Sequence, residues 1–243
     1  MRTEIAQRIE PLYRYEWITG VAEMLGQGKE AETYLCWAHP RRGLDLVLVK
    51  VYRPRDQRGF QNDAKYREGR PVGSRTIQKA MEQKSHFGRK MLEVSWAEAE
   101  YHRLKELWAA GIPVPEPYVV VDEALVMEFL GDSDGAAPLL KNVEPEAEEL
   151  PTWWDSIMEA ITGALALHIV HSDLSPYNVL IHQGRPWIID WPQAVDARHN
   201  RNAQEFLTRD IHNIGRYFVS HGLMLDMKAL AEELWSEYWY GRL

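Results

Sequence analysis

The sequence is poor in cysteine and has no long apolar run. Cys36 is the only cysteine among 243 residues, so the chain cannot form an internal disulfide or a metal site that needs two thiolates. No stretch approaches the roughly 20 consecutive apolar residues that a membrane-spanning helix needs. The first residues also have neither the apolar core nor the cleavage site of a secretory peptide. These absences predict a cytoplasmic protein without a membrane partner.

Basic residues are in deficit overall. There are 28 Lys+Arg against 36 Asp+Glu, which gives a formal net charge of −8 and argues against nucleic-acid binding through bulk positive charge. The charge is uneven, because bases are dense between Lys50 and Lys105 while acids gather between Glu144 and Glu149. The 45% hydrophobic and 26% charged residues are the proportions of a folded globular protein.

The pattern changes from strands to helices along the chain. Leu44–Tyr52 is rich in aliphatic residues and predicts a largely buried strand, and Val119–Leu130 predicts two strands around a turn at Asp122 and Glu123. Helices are predicted at Met91–Ala110, at Pro151–Val170 and over about residues 204–220 and 225–240. Residues from about 53 to 90 lack periodicity, which predicts a long flexible insertion.

This order favours an α+β fold with two lobes. Residues 1–130 would form an N-terminal lobe with an antiparallel sheet and one main helix, and residues 131–243 a mostly helical C-terminal lobe. Such a fold would place a binding cleft between the lobes.

The most specific segment is His171–Asp190. Asn178 follows Asp173 by five positions, Asp190 follows Asn178 by twelve, and a strand pair with a turn at Gln183-Gly184 would bring Asn178 and Asp190 to the same end. Phosphoryl transfer needs a carboxylate beside the attacking hydroxyl, and an amide and a second carboxylate to hold Mg²⁺. The three residues have the types and spacing for these roles.

A glycine-rich turn precedes the Leu44–Tyr52 strand. Gly26 and Gly28, followed by Lys29, would let backbone amides approach phosphate oxygens without obstruction by side chains. Gly-x-Gly alone is more often a plain turn. Its place one strand before Lys50 is what favours the phosphate-binding interpretation.

Lys50 lies inside a strand that is predicted to be buried, and a buried ammonium needs a counter-charge. Glu98 and Glu100 on the following helix are the candidates, and they cannot share a helix face. Leu104 and Leu107, at spacings of four and seven from Glu100, indicate that Glu100 is on the packed face. The pair would orient Lys50 toward the nucleotide phosphates.

The strand-rich half ends at Met127–Gly131. Here backbone groups of Glu128 and Leu130 would hydrogen-bond adenine in a hinge between the lobes. The alternative is an ordinary edge strand that leads into a turn.

Several longer segments resemble the RIO family of atypical serine/threonine protein kinases, its first subfamily most closely. The resemblance covers about residues 26–220 and is carried by GKEAETY (Gly28–Tyr34), VKVYR (Val49–Arg53), WAEAEYHRL (Trp96–Leu104), AGIPVPEP (Ala110–Pro117), LVMEFLG (Leu125–Gly131), APLLKNV (Ala137–Val143), HSDLSPYN (His171–Asn178), IID with Gln193, and EFLTRD (Glu205–Asp210). The resemblance implies a two-lobed protein-kinase-like fold and an ATP-dependent kinase.

The resemblance also implies roles for individual residues. Asp173 would be the catalytic aspartate, Asn178 and Asp190 would bind Mg²⁺, with Mn²⁺ as a substitute, and Lys50 would bind the ATP phosphates. The family is also held to form an aspartyl phosphate, which maps to Asp190, and to act as an ATPase. Its partners would be ATP, a protein substrate or the chain itself, and a ribosome-assembly partner on resemblance alone.

Two features depart from the family pattern. Trp191 and Pro192 follow Asp190 where a small polar pair is more usual, and Gln27 replaces a Ser or Thr in the phosphate loop.

Ser74 and Thr76, with Ser85, lie in the basic insertion and are candidate autophosphorylation sites.

Two other functions remain open on the residues alone. Ile189-Asp190-Trp191 also occurs in aminoglycoside- and choline-type phosphotransferases, which usually carry a larger helical substrate pocket than the 53 residues after Asp190 would form. A catalytically silent scaffold is the other alternative, and the intact set of Lys50, Asp173, Asn178 and Asp190 argues against it.

Overall fold

The structure is a computed structural model that describes residues 3–28, 30–53, 86–132 and 135–243, with side chains at residues 5–28, 30–53, 96–132 and 135–243. Lys29, most of the predicted insertion, and its hydroxyl residues Ser74, Thr76 and Ser85 therefore lie outside the described residues.

The described elements follow the predicted change from a strand-rich half to a helix-rich half, except that a helix precedes the first strand. The helices are α1 (Thr3–Arg14), α2 (His86–Ala109), α3 (Glu149–Ala166), α4 (Ala203–Ser220) and α5 (Met227–Trp239). The strands are β1 (Ile18–Gln27), β2 (Ala31–Ala38), β3 (Leu46–Tyr52), β4 (Pro117–Val121), β5 (Ala124–Glu128), β6 (Gly131–Asp132), β7 (Gly135–Ala136), β8 (Ile169–Val170), β9 (Val179–His182), β10 (Arg185–Ile188) and β11 (Val195–Asp196). Short 3₁₀ turns lie at Pro40–Arg42 and Leu140–Asn142.

The chain divides into two compact units. Within the described residues, the first contains residues 3–53, 86–105 and Glu116–Phe129, and the second contains Glu106–Pro115 and Leu130–Leu243. The change of unit at Phe129 lies next to the predicted division after residue 130. The sequence did not indicate that Glu106–Pro115 belongs with the second unit.

The first unit is built on a five-stranded antiparallel sheet in the order β1-β2-β3-β5-β4. Val47, Val49 and Val51 on β3 are fully buried in one cluster with Ile9 and Leu12 of α1. Because successive side chains of a strand point to opposite faces, Lys50 and Tyr52 lie on the other face, which α2 covers. The central strand is therefore buried on both sides.

Two helix predictions were incomplete. The apolar spacing of Ile5, Ile9 and Leu12 identifies α1, which the strand-dominated interpretation of the N-terminal half missed, so this unit has more than the one main helix predicted. The second helix begins at His86 instead of Met91. The first turns of α2 thus occupy the end of the segment that was predicted as an insertion.

The second unit is mostly helical. Trp153, Ile157 and Leu165 of α3 are buried, and Trp154 packs edge-to-face on Phe218 of α4 with ring centroids 5.4 Å apart. The β9–β10 hairpin lies on α3, where the Trp153 indole donates to the Gly184 carbonyl at 3.0 Å. Within the described ranges, no helix is long and apolar enough to cross a membrane.

Candidate active site

The loop before β9 brings the predicted phosphoryl-transfer residues together. The Asn178 side-chain amide donates to the Asp173 carbonyl at 2.7 Å, and the Asn178 backbone N–H donates to the Ser175 carbonyl at 2.9 Å. These bonds fold residues 173–178 into a closed turn. Asp173 is exposed and Asn178 is partly exposed, so both are open to a ligand.

The predicted hairpin is confirmed. Val179 pairs with Ile188 in the β9–β10 register, and the Ile189 N–H donates to the Asn178 carbonyl at 2.9 Å. Asp190 directly follows Ile189, so Asn178 and Asp190 lie at the same open end of the hairpin. The spacing of twelve residues in the sequence is therefore the length of one short hairpin.

A histidine ties the start of the loop to the end of the hairpin. His171 Nε2 lies 3.0 Å from the Ile189 carbonyl, and the Asp173 N–H donates to His171 Nδ1 at 3.3 Å, so Nε2 carries the proton. The imidazole packs on the Trp191 ring with centroids 4.5 Å apart, and the Trp191 indole donates to the Ile188 carbonyl at 3.1 Å. Trp191 is 2% exposed, so this residue, which departs from the family pattern, is a buried support for the loop through its contact with His171.

Backbone conformation at the site is constrained. Asp190 has φ 67° and Ser172 has φ 63°, both in the left-handed region that non-glycine residues rarely adopt. Asp tolerates this region better than most residues because its short polar side chain can form local hydrogen bonds. The chain therefore changes direction at Asp190, the residue predicted to bind metal.

A buried aspartate holds the loop from behind. Asp210 of α4 accepts hydrogen bonds from the Ser172 N–H at 2.7 Å and the Leu174 N–H at 3.0 Å, one on each side of Asp173. The Arg209 guanidinium donates to the Ser172 carbonyl. Burial raises the pKa of Asp210 to about 8, although the two N–H donors and the charge of Arg209 oppose this rise. Asp210 thereby fixes the backbone that carries Asp173.

The two exposed aspartates influence each other. Desolvation by surrounding protein raises the pKa of Asp173 above its ordinary 3.8, the negative charge of Asp190 raises it further, and Arg209 opposes both effects. Asp173 therefore holds a proton more readily than a free aspartate does.

The residues present fit a hard divalent cation. Among the described residues, no cluster of three or more His, Cys, Asp or Glu side chains could hold a metal by itself. Mg²⁺ does not require one, because it binds through one or two carboxylates together with water and substrate phosphates. Asp190 and the Asn178 side chain would provide oxygen ligands, and a cation there would relieve the repulsion between Asp173 and Asp190.

In the first unit, the predicted Lys50–Glu100 ion pair is present. Lys50 Nζ lies 2.8 Å from Glu100 Oε1, and the two residues are 7% and 1% exposed. The Tyr52 hydroxyl donates to Glu100 Oε2, and the Tyr52 ring lies 5.3 Å from Lys50 Nζ. Glu98 is exposed, which confirms the choice of Glu100.

The predicted phosphate loop is the β1–β2 hairpin. The Gly28 N–H donates to the Ala31 carbonyl at 2.9 Å and closes the turn. A Cβ at Gly26 would lie 3.0 Å from Thr33 Oγ1, so a side chain there would crowd the facing strand. Gln27 donates to the Glu32 carboxylate at 3.0 Å and is held at the end of the hairpin.

Backbone groups around Glu128 and Leu130 are partly engaged. The Glu128 N–H donates to the Glu116 carbonyl at 2.8 Å, and its carboxylate accepts from the Glu116 N–H at 3.1 Å. The Leu130 carbonyl accepts from the Ala137 N–H at 2.9 Å.

Four supporting residues had no predicted role. They are Tyr52, His171, Arg209 and Asp210. Asp210 ends the EFLTRD motif, so its motif was recognised, but its carboxylate acts on the backbone of a loop 36 and 38 residues away. Such a contact has no local sequence pattern.

Comparison with known proteins identifies the family. The RIO domain model matches residues 34–230. A RIO-type serine/threonine-protein kinase Rio1 from Thermoplasma acidophilum is 34% identical over 190 residues, which cover 78% of this chain and 94% of that protein. Human serine/threonine-protein kinase RIO1 is 33% identical over 213 residues, 85% of this chain but 34% of its own length. The chain thus spans nearly all of the archaeal relative and about a third of the human one.

Solved structures agree on the fold. The Rio2 kinase of Chaetomium thermophilum, crystallised as an ADP/Mg²⁺-phosphoaspartate complex, superposes with a TM-score of 0.66 at 19% identity, covering 93% of this chain and 64% of that chain. The predicted kinase-like α+β fold is confirmed, and the aminoglycoside- or choline-type alternative is not the family that matches. The chain belongs to the RIO domain family.

Proposed function

We propose that this chain is an ATP- and Mg²⁺-dependent RIO-type serine/threonine protein kinase with ATPase activity. The observation that carries the proposal is the convergence of Asp173, Asn178 and Asp190, in which the charge of Asp190 raises the pKa of Asp173. Relatives named serine/threonine-protein kinases support the same activity.

Asp173 is assigned as the catalytic aspartate. Its carboxylate would orient the attacking hydroxyl and accept its proton, and a pKa above the ordinary value makes it a better proton acceptor than a free aspartate. The hydrogen bonds from Ser172 and Leu174 to Asp210 would keep the carboxylate from drifting out of reach.

Asn178 and Asp190 are assigned as the metal ligands. Mg²⁺ would supply positive charge beside the phosphate oxygens as negative charge develops there. The bond between Asn178 Nδ2 and the Asp173 carbonyl leaves the amide oxygen as the atom that would face the metal.

The first unit is assigned to the nucleotide. Lys50, oriented by Glu100, would bind the phosphates together with backbone groups of Gly26, Gly28 and Lys29. The Glu128 carbonyl and the Leu130 N–H would bind the adenine.

ATPase turnover would pass through a phosphorylated aspartate. An Asp190 carboxylate oxygen attacks the γ-phosphorus, the bond from that phosphorus to the bridging oxygen breaks, and ADP leaves. Water then hydrolyses the acyl phosphate to inorganic phosphate and regenerates the carboxylate.

Radiolabelled ATP with Mg²⁺ tests the proposal. The wild type should release phosphate and become labelled, while Asp173→Asn and Asp190→Asn should each lose at least 99% of the activity. Asp155→Asn, an exposed aspartate on α3, is the matched control and should stay active. Full activity in either site variant would overturn the assignment, and an inactive wild type would favour the silent scaffold.

The chemical stability of the label separates the two reactions. An acyl phosphate on Asp190 should be lost in hydroxylamine, whereas phosphoserine should survive acid. Phosphopeptide mapping then tests Ser74, Thr76 and Ser85 as autophosphorylation sites.

Three finer points belong to the same proposal. Mn²⁺ should replace Mg²⁺ with partial activity, since it accepts the same oxygen ligands. A cytoplasmic location and a ribosome-assembly partner rest on the sequence and the family resemblance. Fractionation and co-sedimentation with ribosomal particles would test them.

A further inference from the structure

A lysine and a tyrosine stack on the surface beside the loop that carries Asp173. Lys141 Nζ lies 4.2 Å from the centroid of the Tyr177 ring. Tyr177 is 63% exposed, and Lys141 is exposed as well. Tyr177 directly precedes Asn178 and follows Asp173 by four positions, so this Lys141–Tyr177 pair borders the proposed catalytic residues.

The backbone holds the pair in place. Lys141 belongs to the 3₁₀ turn Leu140–Asn142, whose Leu140 is fully buried, and the Lys141 N–H donates to the Pro176 carbonyl at 3.2 Å. The segment before it is bonded to β9, where the Ile181 N–H donates to the Pro138 carbonyl at 2.9 Å. The turn is therefore fixed to the same hairpin that positions Asn178.

The positive charge of Lys141 is available to a ligand. Within the described residues, no carboxylate lies at ion-pair distance from its ammonium, which is instead placed over the Tyr177 ring. The acids that follow in sequence have other contacts: Glu144 lies 3.7 Å from His221, and the Glu149 carboxylate accepts from the Glu146 N–H at 3.0 Å.

We propose that Lys141 and Tyr177 form a recognition surface for a protein substrate with an acidic residue close to the serine or threonine that is phosphorylated. The inference rests on the proposed function, because the hydroxyl must reach Asp173 while its neighbours lie along the loop that contains Tyr177. An exposed ammonium would pair with the carboxylate, and the open part of the tyrosine ring would pack on the adjacent peptide.

ATP is the other anion that would bind near this site. A substrate-recognition role and a nucleotide-binding role for Lys141 lead to different predictions. If Lys141 recognises the substrate, its substitution changes the affinity for peptide and leaves the affinity for ATP unchanged. If Lys141 binds the nucleotide, its substitution changes the affinity for ATP whichever peptide is present.

Peptide binding gives a test that does not depend on catalysis. Two labelled peptides that differ only in Glu or Gln residues around one serine are titrated with wild type, Lys141→Glu and Tyr177→Ala, and anisotropy is measured. Lys228→Glu is the matched control, since this lysine on α5 has an 83% exposed side chain. We expect wild type and Lys228→Glu to prefer the Glu peptide, and Lys141→Glu to bind it about fivefold more weakly, as a few exposed charge interactions predict.

Two results would overturn the surface. One is a Glu-to-Gln preference that is equal in wild type and Lys141→Glu, and the other is a loss of ATP affinity in Lys141→Glu. Phosphate transfer to the same peptides separates this failure from failure of the kinase assignment. Transfer with a preference independent of residue 141 contradicts only the surface, whereas Lys141-dependent binding without transfer supports the surface and contradicts the kinase.

Discussion

Lys50 and Glu100 meet across 2.8 Å in the buried interior of the first unit, although one is on a strand and the other on a helix 50 residues later. Each side chain is also in contact with Tyr52, which donates to Glu100 and lies beside the ammonium. A buried ion pair of this kind contributes little net stability, because desolvation offsets much of its attraction. Its value would lie in holding the lysine in one orientation.

Neutralising Glu100 should destabilise the protein. Glu100→Gln leaves the Lys50 ammonium buried without its carboxylate, and the free energy of unfolding should fall by about 3–5 kcal/mol in urea titrations. The exposed neighbour Glu98→Gln is the control and should change it by less than about 0.5 kcal/mol. The double variant Lys50→Met/Glu100→Leu should regain most of the stability and still fail to bind ATP. If Glu100→Gln is as stable as Glu98→Gln, the pair does not have this role.

The activity of the proposed kinase should fall in acid with a midpoint above the ordinary aspartate pKa. Asp173 must be ionised to accept a proton, and its pKa is raised by desolvation and by Asp190. Arg209 lowers that pKa, so Arg209→Met should move the acid limb of the kcat profile to higher pH. Arg216→Met, an exposed arginine on the same helix, should leave the limb in place. A shift to lower pH in Arg209→Met would contradict the electrostatic assignment.

Asp210 should make stability depend on pH. Its folded-state pKa of about 8 lies above the ordinary 3.8, so the folded protein binds this proton more tightly than the unfolded chain does. The contribution of the protonated Asp210 to the free energy of unfolding is complete below about pH 4 and is lost as the pH rises through about 8. Asp210→Asn should flatten the dependence of the free energy of unfolding on pH over this window. An unchanged slope would mean that the two N–H donors and Arg209 keep Asp210 ionised throughout.

Packing of α5 on α4 should depend on a glycine. A Cβ at Gly215 would clash with Met227 Sδ and lie 2.7 Å from Met227 Cγ, so an alanine there must displace the Met227 side chain. Overpacking costs about 1–3 kcal/mol, and the better helix propensity of alanine returns about 1 kcal/mol. Gly215→Ala should therefore lower the free energy of unfolding by about 1 kcal/mol. The same change in a Met227→Ala background should raise stability, and equal effects in the two backgrounds would show that Met227 is not the obstacle.

Local and periodic features were predictable from the sequence. The β9–β10 hairpin has a short apolar pattern on each side of Gln183-Gly184, and the apolar spacing from Glu100 to Leu107 identified the helix face that meets Lys50. The fold followed from the order of strands and helices together with the family resemblance. The roles assigned to the site residues remain predictions.

Contacts between residues that are far apart in the sequence were not predictable in the same way. Asp210 is one acid among 36 Asp+Glu, and its importance arises because α4 places it under a loop that it does not adjoin in sequence. Tyr52 likewise contacts Glu100 through tertiary structure. The helix α1 was missed for a different reason, because its short apolar stripe is interrupted by charged residues and contains Pro11.

The single cysteine has a practical consequence. Cys36 is fully buried, and burial raises the pKa of its thiol to about 12, so it should be nearly inert toward maleimides at neutral pH. Cysteines introduced at exposed Glu23 and Glu233, one in each unit, could then carry a fluorophore pair without removal of the native thiol. Energy transfer between the dyes would report directly whether nucleotide changes the separation of the two units in solution.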